Sequence, residues 1–134
     1  MDLSLEALRV AKENARIHGA LGQISFLCGD FFGPLKGSVI PFHLIVSNPP
    51  YVPREDLAHL PPEVREHEPR LALDGGVEGL ESYRRIIAGV APHLVKGGIL
   101  LLEVGYGQVR AVSRLRECHS SLGLQEVLED QAGI

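Results

Sequence analysis

A pair of prolines directly after a short apolar run constrains this chain more than any other feature. Residues 43–47, His-Leu-Ile-Val-Ser, have the length and composition of a buried β-strand, and Asn48-Pro49-Pro50-Tyr51 follows at once. Because neither proline has an N–H group to donate to a sheet, the strand must end there. The sequence therefore predicts a rigid turn at the carboxyl end of a strand, which is where open α/β sheets bind their ligands.

The predicted turn carries groups that could hold a planar amide or an exocyclic amine. The Asn48 side chain and the Pro49 carbonyl could each accept a hydrogen bond from the same NH2 group. Pro50 stiffens the turn, and Tyr51 offers a flat ring on which a planar substrate group could pack. The structural alternative is a plain Pro-Pro strand terminator with no binding role.

Helical and strand-like segments alternate along the chain, which is typical of an α/β domain with a mainly parallel sheet. The 134 residues are enough for one domain, which we place at residues 1–134. Helical spacing predicts helices over residues 3–18, 79–94 and 108–118, the first capped by Ser4 and ended by Gly19. Apolar runs predict strands over residues 23–28, 43–47, 99–104 and 122–128. Residues 33–41, 52–78 and 96–98 are predicted to be loops or turns.

Composition narrows the function classes. The hydrophobic share of 45% and charged share of 22% are those of a globular protein. The net charge is −4, and residues 54–74 hold three arginines against six acids, which disfavours a nucleic-acid groove there. No apolar run approaches the roughly 20 residues that span a bilayer, and no signal peptide is recognised, so we expect a cytoplasmic protein without a membrane segment. The six histidines are scattered, so no metal site is expected.

The Asn48–Tyr51 turn and several other segments resemble those of S-adenosylmethionine-dependent methyltransferases that act on nitrogen. Asn-Pro-Pro-Tyr after an apolar strand is similar to the signature of that family. The resemblance narrows to the HemK/PrmC branch, the protein-(glutamine-N(5)) methyltransferases, and runs in order along nearly the whole chain. The segments that carry it are Asp2-Leu3-Ser4, Gly29-Asp30-Phe31-Phe32, residues 68–76, Gly79-Leu80, Tyr83-Arg84, Leu102-Glu103-Val104-Gly105 with Gln108, and residues 129–133.

The resemblance implies a Rossmann-like methyltransferase fold and S-adenosylmethionine as cofactor. It implies that Asp2 accepts hydrogen bonds from the cofactor ribose, that Asp30 and Phe31 lie beside the adenine, and that Asn48 also contributes to the cofactor site. Taken alone, Asp2 is better explained as a helix cap or a terminal residue. At least one of Phe31 and Phe32 is expected to pack in the core.

The resemblance also implies the reaction, in which a methyl group moves to the side-chain nitrogen of a glutamine in the Gly-Gly-Gln motif of peptide chain release factors. Asn48 and the Pro49 carbonyl would hold the glutamine amide, within a turn stiffened by Pro50, and Tyr51 would stack near it. Two alternatives stay open. The acceptor could be a ribosomal protein glutamine or N(6) of adenine in nucleic acid, or the chain could be an inactive truncated module.

The resemblance covers only part of the family's fold. The glycine-rich first motif and the closing antiparallel strand have no counterpart in this sequence, so we expect a C-terminal catalytic portion of a longer enzyme or a truncated gene product. Alone, the chain is expected to bind S-adenosylmethionine weakly or not at all. Because exposed strand edges are sticky, it is expected to form a dimer or a rearranged sheet if it folds alone.

Overall fold

The computed structural model describes residues 1–37, 41–119 and 122–128, in two compact units. The first unit is Met1–Val39 and the second is Ile40–Ile134. The end of the predicted 33–41 loop and the motif at residues 129–133 lie outside the described residues.

The first unit is built around helix α1, Leu5–Ile17. As predicted, Ser4 caps it, because its hydroxyl accepts the N–H of Ala7 at 3.1 Å. Gly19 follows the helix with a φ of 66°, a left-handed conformation that glycine adopts without strain.

The strand predicted over residues 23–28 is wrong except at its last residue. Leu21–Gln23 form a 3-10 turn, and Cys28 makes an isolated parallel bridge with Asp2. In that bridge the Asp2 N–H donates to the Leu27 carbonyl at 3.2 Å, and the Gly29 N–H donates to the Asp2 carbonyl at 3.0 Å. A strand requires a partner along its length, and within the described part of this unit only Asp2 supplies one.

The second unit contains two parallel strands, β1 at Phe42–Ser47 and β2 at Leu94–Leu102. The predicted parallel pairing and the strand at residues 43–47 are thereby confirmed. The predicted turn at residues 96–98 lies inside β2 instead. The register shifts there, so these residues form a bulge in which Gly97 has a φ of 81°.

One face of this two-stranded sheet is exposed, so the expectation of fully buried strands is wrong. Leu44 and Val46 on β1 are 53% and 63% exposed. Ile99 and Leu101, their partners in the register, are 53% and 49% exposed. Residues that pair in register point to the same face, and none of this unit's described elements covers that face. Ile45, Leu100 and Leu102 on the opposite face are half-buried.

Helices α4 and α5 confirm the other two predicted helices. α4 spans Glu81–Gly89 and α5 spans Val109–Glu117. After α4 the chain tightens into a 3-10 turn at Ala91–His93, where Pro92 disturbs the predicted helix end.

The segment between β1 and α4, which we predicted to be a long and partly ordered loop, contains short helical elements. It contains a 3-10 turn at Asp56–His59 and two short helices, α2 at Pro62–His67 and α3 at Arg70–Leu73. Prolines start both helices at positions where no N–H is needed. The strand predicted over residues 122–128 is wrong, since no regular structure is assigned to those seven residues.

The core of the second unit lies where α4 and α5 meet the carboxyl ends of the strands. Tyr83, Ile87 and Val112 are buried at its centre. Six half-buried apolar residues pack against them: Tyr51, Leu80, Leu102, Val104, Leu115 and Leu122. The core therefore supports the turn that follows β1.

Tyr83 makes the stability of this unit sensitive to alkali. Its side chain is 0% exposed, and burial raises its pKa from 10.0 to about 12. Between these values the unfolded chain loses the phenolic proton while the folded protein keeps it, so the free energy of unfolding falls as the pH rises. We expect the free energy of unfolding, measured with urea, to fall by about 2 kcal/mol between about pH 9 and 12. The Tyr83→Phe variant should show little of this fall. An equal loss in both proteins would contradict this assignment.

Candidate functional site

The turn predicted to bind a ligand lies at the carboxyl end of β1. The last ladder contact is the Glu103 N–H donating to the Ser47 carbonyl at 3.0 Å, directly before Asn48. Asn48 is exposed, Pro49 is buried and Pro50 is half-buried. The two strands are parallel, so Glu103, just beyond the end of β2, lies at the same edge of the sheet as Asn48.

Three glycines approach Tyr51 so closely that side chains would not fit. A Cβ on Gly75 would lie 2.8 Å from both Cα and the carbonyl carbon of Tyr51. A Cβ on Gly79 would overlap the Tyr51 carbonyl oxygen and lie 2.6 Å from Nε2 of Gln108, and one on Gly105 would lie 2.8 Å from Cδ2 of the Tyr51 ring. We call Gly75, Gly79 and Gly105 the glycine cradle.

Hydrogen bonds fix Tyr51 at both of its ends. Nε2 of Gln108 donates to the Tyr51 carbonyl at 3.0 Å, and the Tyr51 hydroxyl donates to Oε1 of Glu103 at 3.3 Å. Burial, followed by the negative charges of Glu103 and Glu68, raises the pKa of Tyr51. The phenol therefore stays neutral around pH 7 and acts as a hydrogen-bond donor, not as a base.

The chain after the turn is tied to the segment that follows α3. The Val52 N–H donates to the Leu73 carbonyl at 2.9 Å, within an isolated bridge between Val52 and Asp74. The Asp74 carboxylate accepts the Gly76 N–H at 2.9 Å and Nε of Arg54 at 3.1 Å. These contacts lower the pKa of Asp74, and the hydrogen bond from the Gly76 N–H has the largest effect. The carboxylate thus braces the loop in its ionised form.

An open pocket lies beside this braced segment. Its lining includes Arg54 and Arg84 together with Glu78 and Glu81, and Arg84 pairs with Glu78 at 2.5 Å. Asn48 is not among the lining residues, so this pocket is separate from the turn.

The first unit brings together the residues predicted to bind the cofactor there. The bridge between Asp2 and Cys28 places Asp2 beside the segment that leads into Asp30 and Phe31. Oδ1 of Asp2 also accepts the Ser4 N–H at 2.7 Å, so the side chain orders the start of α1. This contact agrees with the alternative explanation of Asp2 as a helix-capping residue. Phe31 is half-buried and has a φ of 44°, a conformation that is uncommon for a residue with a side chain.

Two kinds of feature are absent from the part of the chain that the structure describes. Among residues 1–37, 41–119 and 122–128, no three histidine, cysteine or acidic residues come together as a metal site would require. Within the same ranges, every helix is too short or too polar to cross a bilayer.

Comparison with known proteins shows what this chain is similar to. No family model matches the chain. It is 46% identical over 132 residues to the release factor glutamine methyltransferase of Moorella thermoacetica, covering 98% of this chain and 46% of that protein. It is 46% identical over 134 residues to the protein of the same name from Gloeobacter violaceus, covering 100% of this chain and 46% of the relative. A third, from Bradyrhizobium diazoefficiens, is 42% identical over 133 residues, 99% of this chain and 44% of the relative.

The parallel α/β fold and the methyltransferase relatives confirm the predicted methyltransferase fold class. The chain is a relative of the release factor glutamine methyltransferases, and the resemblance to the HemK/PrmC branch is confirmed. It spans about half the length of the curated relatives it matches.

Glu103 and Gln108 both lie within a motif that carries the family resemblance, but the sequence predicted no role for either residue. A signal for Glu103 was present, because it lies near the end of the strand predicted over residues 99–104, in a sheet predicted to be mainly parallel. The carboxyl ends of parallel strands lie at one sheet edge, which predicts that the two residues are neighbours there. No local signal indicates that Gln108 reaches back to Tyr51, 57 residues earlier.

Proposed function

We propose that this chain carries the substrate turn of a methyltransferase that modifies the side-chain nitrogen of glutamine in the Gly-Gly-Gln motif of peptide chain release factors. The observation that carries the proposal is the Asn48–Tyr51 turn, which is held rigidly at the carboxyl end of β1 with Asn48 exposed. The names of its relatives support the same reaction. A substrate that acts in translation termination would place the reaction in the cytoplasm.

The turn offers acceptors for the two hydrogens of a glutamine amide. The side-chain oxygen of Asn48 and the carbonyl of Pro49 would each accept one hydrogen bond from the NH2 group. Because Pro49 and Pro50 fix their own φ angles, the two acceptors keep their spacing without further ordering. The Tyr51 ring, anchored by its hydroxyl and its carbonyl, would stack beside the amide plane.

The first unit would hold S-adenosylmethionine. Its residues fit this group, since carboxylates such as Asp2 and Asp30 accept hydrogen bonds from ribose hydroxyls or adenine, and the half-buried Phe31 ring could lie against the adenine face. When bound, the cofactor supplies a methyl group that its sulfonium already activates.

The contribution of the protein would then be orientation. An amide nitrogen is a poor nucleophile, and hydrogen bonds from its NH2 group to Asn48 and Pro49 would raise electron density on it. They would also align it with the methyl group. In reactions with ideal geometry, such positioning lowers the activation free energy by roughly 7–11 kcal/mol. The nitrogen gains the methyl group and afterwards loses one proton to solvent, so no metal is needed.

The proposal is tested by replacing the matching segment of a relative with this chain. We expect a chimera, in which these residues replace the matching 132 residues of the Moorella thermoacetica protein, to methylate a release factor. An adenine-containing oligonucleotide and a glutamine-containing ribosomal protein are the competing acceptors, and the unaltered relative is the control. Transfer to the oligonucleotide or the ribosomal protein in preference to the release factor would contradict the proposal.

A further inference from the structure

The Gln108 side chain is committed to the turn and not to its own helix. Gln108 occupies the N-cap position of α5, yet its side chain makes no capping hydrogen bond there. Instead Nε2 donates to the Tyr51 carbonyl at 3.0 Å and lies 3.5 Å from the Gly79 carbonyl. Both neighbours are acceptors, which fixes the orientation of the amide, because the reversed amide would put oxygen against two carbonyl oxygens.

The Gln108 amide is closely enclosed by its neighbours. Oε1 of Gln108 is buried and has no hydrogen-bond partner among the described residues. A buried acceptor without a donor is destabilising, so the hydrogen bond made by Nε2 holds the side chain in place despite that cost. Gly79 and Gly105 supply the space, since a Cβ on either would lie 2.6 Å from an atom of this amide.

The opposite end of Tyr51 is held by a residue that is itself anchored. Glu103 accepts the Tyr51 hydroxyl through Oε1 at 3.3 Å. Its backbone N–H donates to Ser47 at 3.0 Å, and its carbonyl accepts the hydroxyl of the buried Tyr83 at 3.1 Å. Tyr51 is therefore clamped between α5 at its carbonyl and the end of β2 at its hydroxyl.

We propose that Gln108 is a positioning residue, which holds the Tyr51 carbonyl and thereby fixes Asn48 and Pro49 in the arrangement that receives the amide substrate. The two prolines between Asn48 and Tyr51 transmit the constraint, because each has its φ angle locked near −65°. What the turn receives rests on the proposed function; the mechanical coupling of Gln108 to the turn does not.

The coupling is tested on the complete chain, without substrate, by NMR of labelled tyrosine. The chain has three tyrosines, and the third, Tyr106, is 83% exposed and serves as the reference. In Gln108→Met, which keeps the length of the side chain but removes its donor, we expect Tyr51 to move from Glu103. Its titration midpoint should fall towards 10.0, while that of Tyr83 stays at about 12. The charged groups that act on Tyr51 are Glu103 and Glu68.

A second readout at neutral pH keeps the proposal testable without alkali. The backbone amide resonances of Asn48 and Val52 should shift in Gln108→Met and stay in place in Arg110→Met, an exposed position in the first turn of the same helix. Gln108→Asn, which keeps the amide but shortens its reach, replaces Gln108→Met if that variant does not fold.

Two results would overturn the proposal. If the titration midpoint of Tyr51 and the backbone amide resonance of Asn48 are the same in the variant as in the wild type, Gln108 does not position the turn. If the midpoints of Tyr51 and Tyr83 fall together, Gln108 contributes to general packing and has no specific role at the turn. Neither result depends on methyl transfer, so a failure of the proposed reaction in the chimera is distinguishable from a failure of this inference.

Discussion

Replacing Asn48 with alanine is expected to nearly abolish methyl transfer by the chimera while cofactor binding changes little. Asn48 is exposed at the carboxyl end of β1, and its side chain would accept one of the two hydrogen bonds that orient the glutamine amide. Removing one such oriented polar contact typically costs a factor of about 100 to 1000 in turnover. The truncation leaves Pro49, Pro50 and the anchored Tyr51 in place, so the loss should fall on the chemical step and not on folding.

Asn14→Ala is the matched control for this prediction. Asn14 is an exposed asparagine on α1, and its substitution removes the same amide group from a helix surface. Turnover would be measured with saturating release factor, and cofactor affinity by calorimetry on the same preparations. Equal turnover in Asn48→Ala and Asn14→Ala would remove Asn48 from the substrate site.

Replacing Gly79 with alanine is expected to be the most destabilising substitution in the glycine cradle. The φ of Gly79 is 70°, a conformation that costs a residue with a Cβ about 1–2 kcal/mol. The added Cβ would also overlap the Tyr51 carbonyl oxygen and crowd Nε2 of Gln108 at 2.6 Å. Because both atoms belong to the clamp on Tyr51, we expect a total loss of about 3 kcal/mol or more in the free energy of unfolding.

Gly107→Ala separates the two contributions. The φ of Gly107 is 74°, nearly the same as that of Gly79, but a Cβ there would have no atom within 4 Å. Urea unfolding should therefore show a loss of about 1–2 kcal/mol in Gly107→Ala, due to the backbone alone. A similar loss in both variants would mean that the close approach to Tyr51 contributes nothing to stability.

The elements that could be predicted from the sequence are those specified by neighbouring residues. Helical periodicity with a serine cap predicted α1, and the apolar run before the proline pair predicted β1. The strand predicted over residues 23–28 was wrong because its formation depends on a partner elsewhere, and only Asp2 supplies one within the described unit. The strand predicted over residues 122–128 was wrong for the same reason, since β-propensity without pairing does not make a strand.

The same distinction between local and long-range determinants applies to the candidate site. The position of the Asn48–Tyr51 turn was predictable because two prolines impose it locally. The clamp on Tyr51 was not, because Glu103 and Gln108 are brought to it by the packing of β2 and α5. The roles of Asn48, Pro49 and Pro50 in holding an amide stay predictions, as do the roles of Asp2, Asp30 and Phe31 towards the cofactor.

One measurement tests most directly whether the Asn48–Tyr51 turn presents a glutamine side-chain amide for methylation. The chimera is incubated with S-adenosylmethionine and a release factor, and tandem mass spectrometry locates the added methyl group. We expect a single methyl group on the side-chain nitrogen of the glutamine in Gly-Gly-Gln, added about 100 to 1000 times more slowly when Asn48 is replaced by alanine. A methyl group on any other residue, or on the same glutamine with Asn48→Ala at the wild-type rate, would contradict the claim.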